Sequence, residues 1–160
     1  MKAIIIGTSL SGKTTLVRYL RTKTKFPLLE IDEELTRINN SEYPIDNELK
    51  HNILIPQIVK NILSRDNVVF FTNTDYFTPE DLENARKNGF QIAQLFLDLN
   101  ELQKRNKFRM ENEGYSDLSQ WLEGMVNYQI MIKERGLIDK VIEANQTTEN
   151  MASQLIEFLE

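Results

Sequence analysis

The sequence predicts an α/β protein built on a parallel sheet. Three observations carry that prediction. Short apolar runs alternate with helical patterns along the 160-residue chain. The first run, Ala3-Ile4-Ile5-Ile6, is continuous rather than alternating, as expected for a strand buried on both faces. It ends at Gly7 and leads through a glycine- and serine-containing turn into an amphipathic segment.

Taken in order, residues 3–6 are the first strand, and residues 12–22 are a helix with Leu16, Val17 and Leu20 on one face. Residues 28–31 are a second strand after Pro27, and residues 33–39 are a short helix. Residues 46–64 place Ile53, Leu54, Ile58, Ile62 and Leu63 at helical spacing, and Pro56 marks a kink or restart. Residues 68–71 are the third strand. Thr78-Pro79-Glu80-Asp81 is a helix start, with a capping threonine, proline at the first position and acids in the first turn; Gly89 ends that helix. Residues 92–97 are the fourth strand. Helices over 99–112 and 117–135 follow, separated by Glu113-Gly114-Tyr115-Ser116, and Gly136 stops the second. Residues 140–142 are the fifth strand and residues 148–159 a closing helix. No repeat, linker or low-complexity tract interrupts the series, so residues 1–160 are expected to form one domain.

Composition excludes several chemistries. The chain is 41% hydrophobic and 27% charged, a globular balance. It has no cysteine, hence no disulfide, thiolate zinc site or cysteine nucleophile. The single histidine, His51, rules out a multi-histidine metal centre and is expected to be a surface or packing residue. A net charge of −5 argues against a duplex nucleic-acid partner. No stretch approaches the roughly 20 apolar residues of a membrane span, and the opening apolar run is too short for a signal peptide. A cytoplasmic, monomeric or weakly dimeric protein is expected, without membrane or nucleic-acid partners.

Residues 7–14 read Gly7-Thr8-Ser9-Leu10-Ser11-Gly12-Lys13-Thr14, a full match to G-x-x-x-x-G-K-[ST] in its required strand–turn–helix setting. The glycines allow a tight turn whose backbone N–H groups converge on an anion, and the following helix adds its positive end. Lys13 supplies a cation for the β- and γ-phosphates, and Thr14 offers its hydroxyl to Mg²⁺. Gly7, Ser9, Ser11, Gly12, Lys13, Thr14 and Thr15 are therefore the expected nucleotide contacts. A guanine-specific switch protein is excluded: no Asp-x-x-Gly occurs, and Asn106-Lys107-Phe108-Arg109 lacks the base-reading carboxylate. A motor-type ATPase would place an aspartate at the end of the third strand, where this chain has Thr72-Asn73-Thr74-Asp75.

After the fourth strand, Arg105 and Arg109 stand at i, i+4 on one helix face. With the phosphate loop, this arrangement resembles the small phosphate-loop kinases of the shikimate, gluconate and nucleoside–nucleotide kinase type. The resemblance implies a three-layer fold: a five-stranded parallel sheet in the order 2-3-1-4-5, with helices on both faces. It implies an acceptor-binding insert over residues 33–64 and a short lid over residues 109–118. It implies ATP and Mg²⁺ as cofactors, Arg105 flanking the adenine, Arg109 reaching the transferring phosphates, and the adenine resting near Ala144-Asn145-Gln146, with Asn145 as a contact.

The acceptor side centres on Glu30-Ile31-Asp32. Strand alternation puts Glu30 and Asp32 on one face. The resemblance implies that Asp32 orients or deprotonates an acceptor hydroxyl and that Glu30 holds Mg²⁺ from its outer shell. Arg37, one turn further on, suits an anionic substrate. The chain lacks both the Asp-Gly-x-Pro-Arg string of monophosphate kinases and the triple glycine of shikimate kinases after the third strand. Asn73 and Asp75 stand there instead, as candidate hydrogen-bonding contacts to the acceptor. Trp121, Tyr128 and Met131 are expected in the core, and Gln129 is left open between core and site. The expected activity is transfer of the γ-phosphate of ATP to a hydroxyl of a small molecule, with Lys13, Asp32 and Arg109 catalytic. A nucleoside monophosphate kinase and a regulatory ATP-binding protein with slow hydrolysis are the alternatives.

Overall fold

The computed structural model describes residues 1–160. Five parallel strands run β1 (Lys2–Gly7), β2 (Leu28–Glu30), β3 (Val68–Thr72), β4 (Gln91–Phe96) and β5 (Lys140–Glu143), side by side in the order β2-β3-β1-β4-β5. This is the expected sheet. β1 sits at its centre, with Ile4 opposite Phe70 of β3 and Ile92 of β4. Parallel neighbours need crossovers, which the helices supply.

Those helices are α1 (Lys13–Lys23), α2 (Ile31–Ile38), α3 (Asn47–Leu49), α4 (Ile55–Leu63), α5 (Pro79–Lys87), α6 (Leu99–Glu113), α7 (Ser119–Glu134) and α8 (Thr148–Leu159). They cover both faces of the sheet, and alternation along each strand feeds two separate cores. Ala3, Ile5, Val69, Phe71, Ala93 and Leu95 pack with α1 and α8. Ile4, Ile6, Val68, Phe70 and Ile92 pack on the opposite face with α2, α4 and α5. Phe70 and Phe71 are fully buried on opposite faces. Truncating either to alanine would cost about 3–5 kcal/mol.

Local chemistry sets the ends. Thr78 and Asp81 form a reciprocal capping box on α5. Asp98 caps α6 through the N–H of Glu101, and Thr147 caps α8 through that of Asn150. Gly89 and Gly136 follow their helices at positive φ, as expected.

Three local expectations are corrected. Residue 31 is not the end of the second strand: the β2 ladder stops at Glu30 opposite Phe71, and Ile31 opens α2. Asp32, Glu33 and Glu34 then lie in the first turn, where the helix dipole favours acids. Residues 46–64 are not one regular helix. A π-turn over Lys50–Leu54 ends with the Ile55 N–H donating to the Lys50 carbonyl. The wider turn makes room for Pro56, whose ring would crowd the carbonyl four residues back. Trp121 is not in the core: it is 52% exposed at the start of α7, while Leu122, Val126, Gln129 and Ile132 form the buried face. Tyr128 and Met131 do pack against the core, and the Tyr128 hydroxyl donates to the Phe77 carbonyl. No helix is long and apolar enough to cross a membrane.

Candidate functional site

The turn from β1 to α1 is closed by its own polar groups. The Thr8 carbonyl accepts from the Ser11 N–H at 3.1 Å and from the Ser11 hydroxyl at 2.7 Å. The Lys13 ammonium donates to the carbonyls of Gly7, at 2.8 Å, and Thr8, at 2.7 Å. Both glycines are required. A Cβ on Gly7 would lie 2.6 Å from the Ser11 Oγ, and Gly12 takes φ 85°. α1 therefore starts at Lys13 with its first N–H groups lacking helical acceptors.

Lys13 is only 7% exposed. Burial lowers its pKa to about 8, against the partial support of the Asp32 and Glu30 charges. Thr14 donates its hydroxyl hydrogen to Glu30 Oε1 at 2.7 Å, and Glu30 is itself buried at the end of β2.

Over this loop lies a cavity of about 440 Å³. It gathers Ser9, Gly12, Lys13, Thr14, Thr15, Glu30, Asp32, Asn73 and Arg109 from four separate chain segments. Gly7 and Ser11, by contrast, are buried and act as the floor of the loop. Asp32 reaches the cavity from α2 rather than from a strand end, and it is exposed there. A second, wholly polar cavity of about 650 Å³ shares Thr14, Glu30 and Asp32 and holds Arg18, Arg21 and Arg37. Arg37 is already paired with Glu34 at 3.0 Å. Asp75 is not part of either space: it lines a groove beside α4 with His51 and Tyr76. His51 is exposed and meets the Tyr76 ring edge-on at 5.6 Å, as a packing residue would. Gln129 is fully buried and lines neither cavity; its side-chain amide donates to the Leu95 carbonyl, and its backbone carbonyl accepts from the Gln94 side chain.

Arg105 holds the loops together. Its guanidinium donates to the Leu10 carbonyl at 2.9 Å and to the Ala144 carbonyl at 3.1 Å, so one side chain joins the phosphate loop to the turn after β5. Asn145 is the exposed next residue of that turn. Arg109 lines the cavity itself.

The overall arrangement has known counterparts. It superposes on a shikimate kinase from Aquifex aeolicus with a TM-score of 0.72 and 17% identity, covering 99% of this chain and 96% of that one. A shikimate kinase from Acinetobacter baumannii in complex with shikimate gives 0.75 and 20%, covering 99% and 92%. A gluconokinase from Sinorhizobium meliloti gives 0.58 and 15%, covering 99% and 94%. The chain has the fold of the small phosphate-loop kinases. No sequence family and no curated relative matches it. Within this small phosphate-loop kinase fold, the cavity over residues 7–14 lies at the carboxyl end of the central strand, where open α/β sheets bind ligands.

Several residues of the site were not singled out by sequence. Glu113 lines the cavity, and it stands at i, i+4 from Arg109. Lys50 lies over the rings of Tyr43, at 5.1 Å, and Tyr76, at 5.6 Å, and has no carboxylate partner. Burial pushes the Tyr43 phenol pKa up, and the Asp32 charge adds to that push. Nothing in the local sequence brings residues 43, 50 and 76 together; the π-turn and the loop after β3 do.

Proposed function

We propose that the protein is an ATP-dependent kinase that phosphorylates a hydroxyl group of a small, anionic acceptor. One observation carries this: a buried lysine, a threonine hydroxyl, three carboxylates and an arginine from distant segments converge on one cavity over a phosphate-binding loop. The fold it shares with shikimate kinase and gluconokinase supports the reading.

In this reading the loop and Lys13 bind the β- and γ-phosphates. Thr14 and Glu30 are the residues that would hold Mg²⁺. Their hard oxygen donors fit that ion, and no cluster of three metal-ligating side chains competes, in keeping with an ion held largely by phosphate and water. When bound, Mg²⁺ supplies charge neutralisation for the phosphate oxygens. Asp32 accepts the proton of the acceptor hydroxyl as its oxygen bonds to the γ-phosphorus. The bond from that phosphorus to the β,γ-bridging oxygen breaks, and ADP leaves. Lys13 and Arg109 neutralise the charge spread over the transferring group. Arg105 positions the two loops that bracket the nucleotide.

The acceptor's anionic character is read from Lys50. A half-buried ammonium with no acid partner, lying over the rings of Tyr43 and Tyr76, is suited to a carboxylate, and Tyr43 links it to the site, since the Asp32 charge helps to raise that phenol's pKa. A phosphorylated acceptor is the second reading, favoured by Arg18, Arg21 and Arg37 in the adjoining polar cavity.

An ATP-consumption screen over hydroxy acids, sugars, nucleosides and nucleotides tests this. A hydroxy acid is expected to raise turnover well above the water background, and Asp32→Asn to lower kcat by about 10²–10⁴. Nucleotide binding with no acceptor response in any class would favour the regulatory alternative.

A further inference from the structure

Arg109 is not free at the cavity rim. Its Nε lies 3.5 Å from Glu113 Oε2, and its guanidinium carbon lies 3.9 Å from the centre of the Tyr115 ring. The first is an i,i+4 pair within α6, and the second follows from how α6 ends. Gly114 takes φ 69°, which reverses the chain, and the Tyr115 N–H returns to the Arg109 carbonyl. The ring is thereby folded back onto the arginine five residues before the turn glycine.

The backbone around this contact is fastened. Asn106, buried inside α6, donates to Asp117 Oδ1 at 2.8 Å and accepts from the Leu118 N–H at 3.0 Å. Arg105 ties α6 to the phosphate loop one turn earlier. Residues 114–118 are therefore fastened at both ends, by the Tyr115 N–H at one and the Asn106 amide at the other.

We propose that Glu113 and Tyr115 are positioning residues that park Arg109 in a charge-neutralised state, from which an incoming polyphosphate must recruit it. The inference rests on the cavity being a polyphosphate site. Phosphate and Glu113 compete for one guanidinium, so the site discriminates by charge: a triphosphate displaces the carboxylate more effectively than a diphosphate. Water entering alone leaves the arginine parked, which withholds transition-state charge stabilisation until the nucleotide is in place.

Equilibrium titration of MgATP and MgADP into the whole protein tests it, in wild type, Glu113→Gln, Arg109→Gln and the double variant. Glu113→Gln is expected to tighten MgATP by about two- to fivefold and MgADP less. The gain disappears when Arg109 is already glutamine. Tyr115→Ala tightens MgATP in the same direction, whereas Tyr115→Phe, which keeps the ring, binds as wild type. An equal gain in the Arg109→Gln background overturns the proposal, since Glu113 then repels nucleotide directly. Wild-type binding with no change in Glu113→Gln also overturns it and leaves the kinase reading intact. Absence of nucleotide binding in the wild type removes both.

Discussion

Thr14 and Glu30 meet across 2.7 Å, joining the first turn of α1 to the last residue of β2. The contact is directional: the hydroxyl gives its hydrogen to the carboxylate, so its oxygen stays available as an acceptor. The first turn of α1 is thus tied to the end of β2, the next element of the chain, at the point where the phosphate loop ends. Glu30→Gln keeps the size and removes the charge. Loss of such a supporting partner typically lowers metal affinity or activity about 10–100-fold. The expected outcome is a rise of that order in the Mg²⁺ concentration needed for half-maximal ATP binding, measured by titration at fixed nucleotide.

Lys13 makes the site pH-dependent. Its folded pKa of about 8 lies below the ordinary 10.5, because burial penalises the charged form. For a lysine shifted down, the cost of burying the charge is fully present below about pH 8 and is relieved as pH rises towards 10.5, so this group alone makes the nucleotide-free protein more stable over that window. Bound polyphosphate restores the charge. Binding above pH 8 should therefore take up a proton, and affinity at pH 9 should be about tenfold below that at pH 7. Calorimetry in two buffers of different ionisation enthalpy detects the uptake. A pH-independent affinity between 7 and 9 would count against a Lys13 that both loses its charge near pH 8 and contacts phosphate.

Gly7→Ala is expected to be damaging although the residue is already buried in a strand. The added methyl would sit 2.6 Å from Ser11 Oγ and 3.3 Å from Leu95 Cβ. Overpacking of this kind costs about 1–3 kcal/mol. For a protein of this size that is a fall in Tm of roughly 3–10 °C. Nucleotide affinity should fall with it, because Ser11 helps to hold the Thr8 carbonyl. Thermal melts with and without MgATP separate the two effects.

Arg105→Ala should loosen the nucleotide side without removing a reacting group. Two carbonyls, of Leu10 and Ala144, lose their shared donor. The expected loss is about 1–2 kcal/mol of stability. Steady-state kinetics should show the KM for ATP rising more than kcat falls. Arg105→Lys should recover little, because one ammonium does not reproduce the planar fork that reaches both carbonyls.

Much of this was legible in the chain itself, for a local reason. The phosphate loop is one contiguous stretch, so its glycines, Lys13 and Thr14 declare their roles through spacing alone. The central strands β1 and β3 declare themselves because each is apolar on both faces. The capping box at Thr78 and Asp81, and the helix stops at Gly89 and Gly136, are likewise contained within a few residues. Arg105 and Arg109 were recognisable through their i, i+4 spacing after the fourth strand. Whether either touched a ligand or the protein was not.

What the tertiary structure decided is which distant groups meet. It moved Asp32 from a strand end to the first turn of α2, because the edge ladder stops at Glu30. It set Asp75 in a separate groove and gave Arg37 a partner in Glu34. It directed Arg105 onto two carbonyls and Arg109 onto Glu113 and Tyr115. It also brought Lys50 between Tyr43 and Tyr76, through a π-turn that the sequence signalled only as a proline in a helical pattern. Contiguous spacing determines local geometry, and so the sequence determined the strands, the loop and the caps. The direction of a long side chain depends on which acceptor stands within its reach, and that is settled only when the crossovers bring separate segments together.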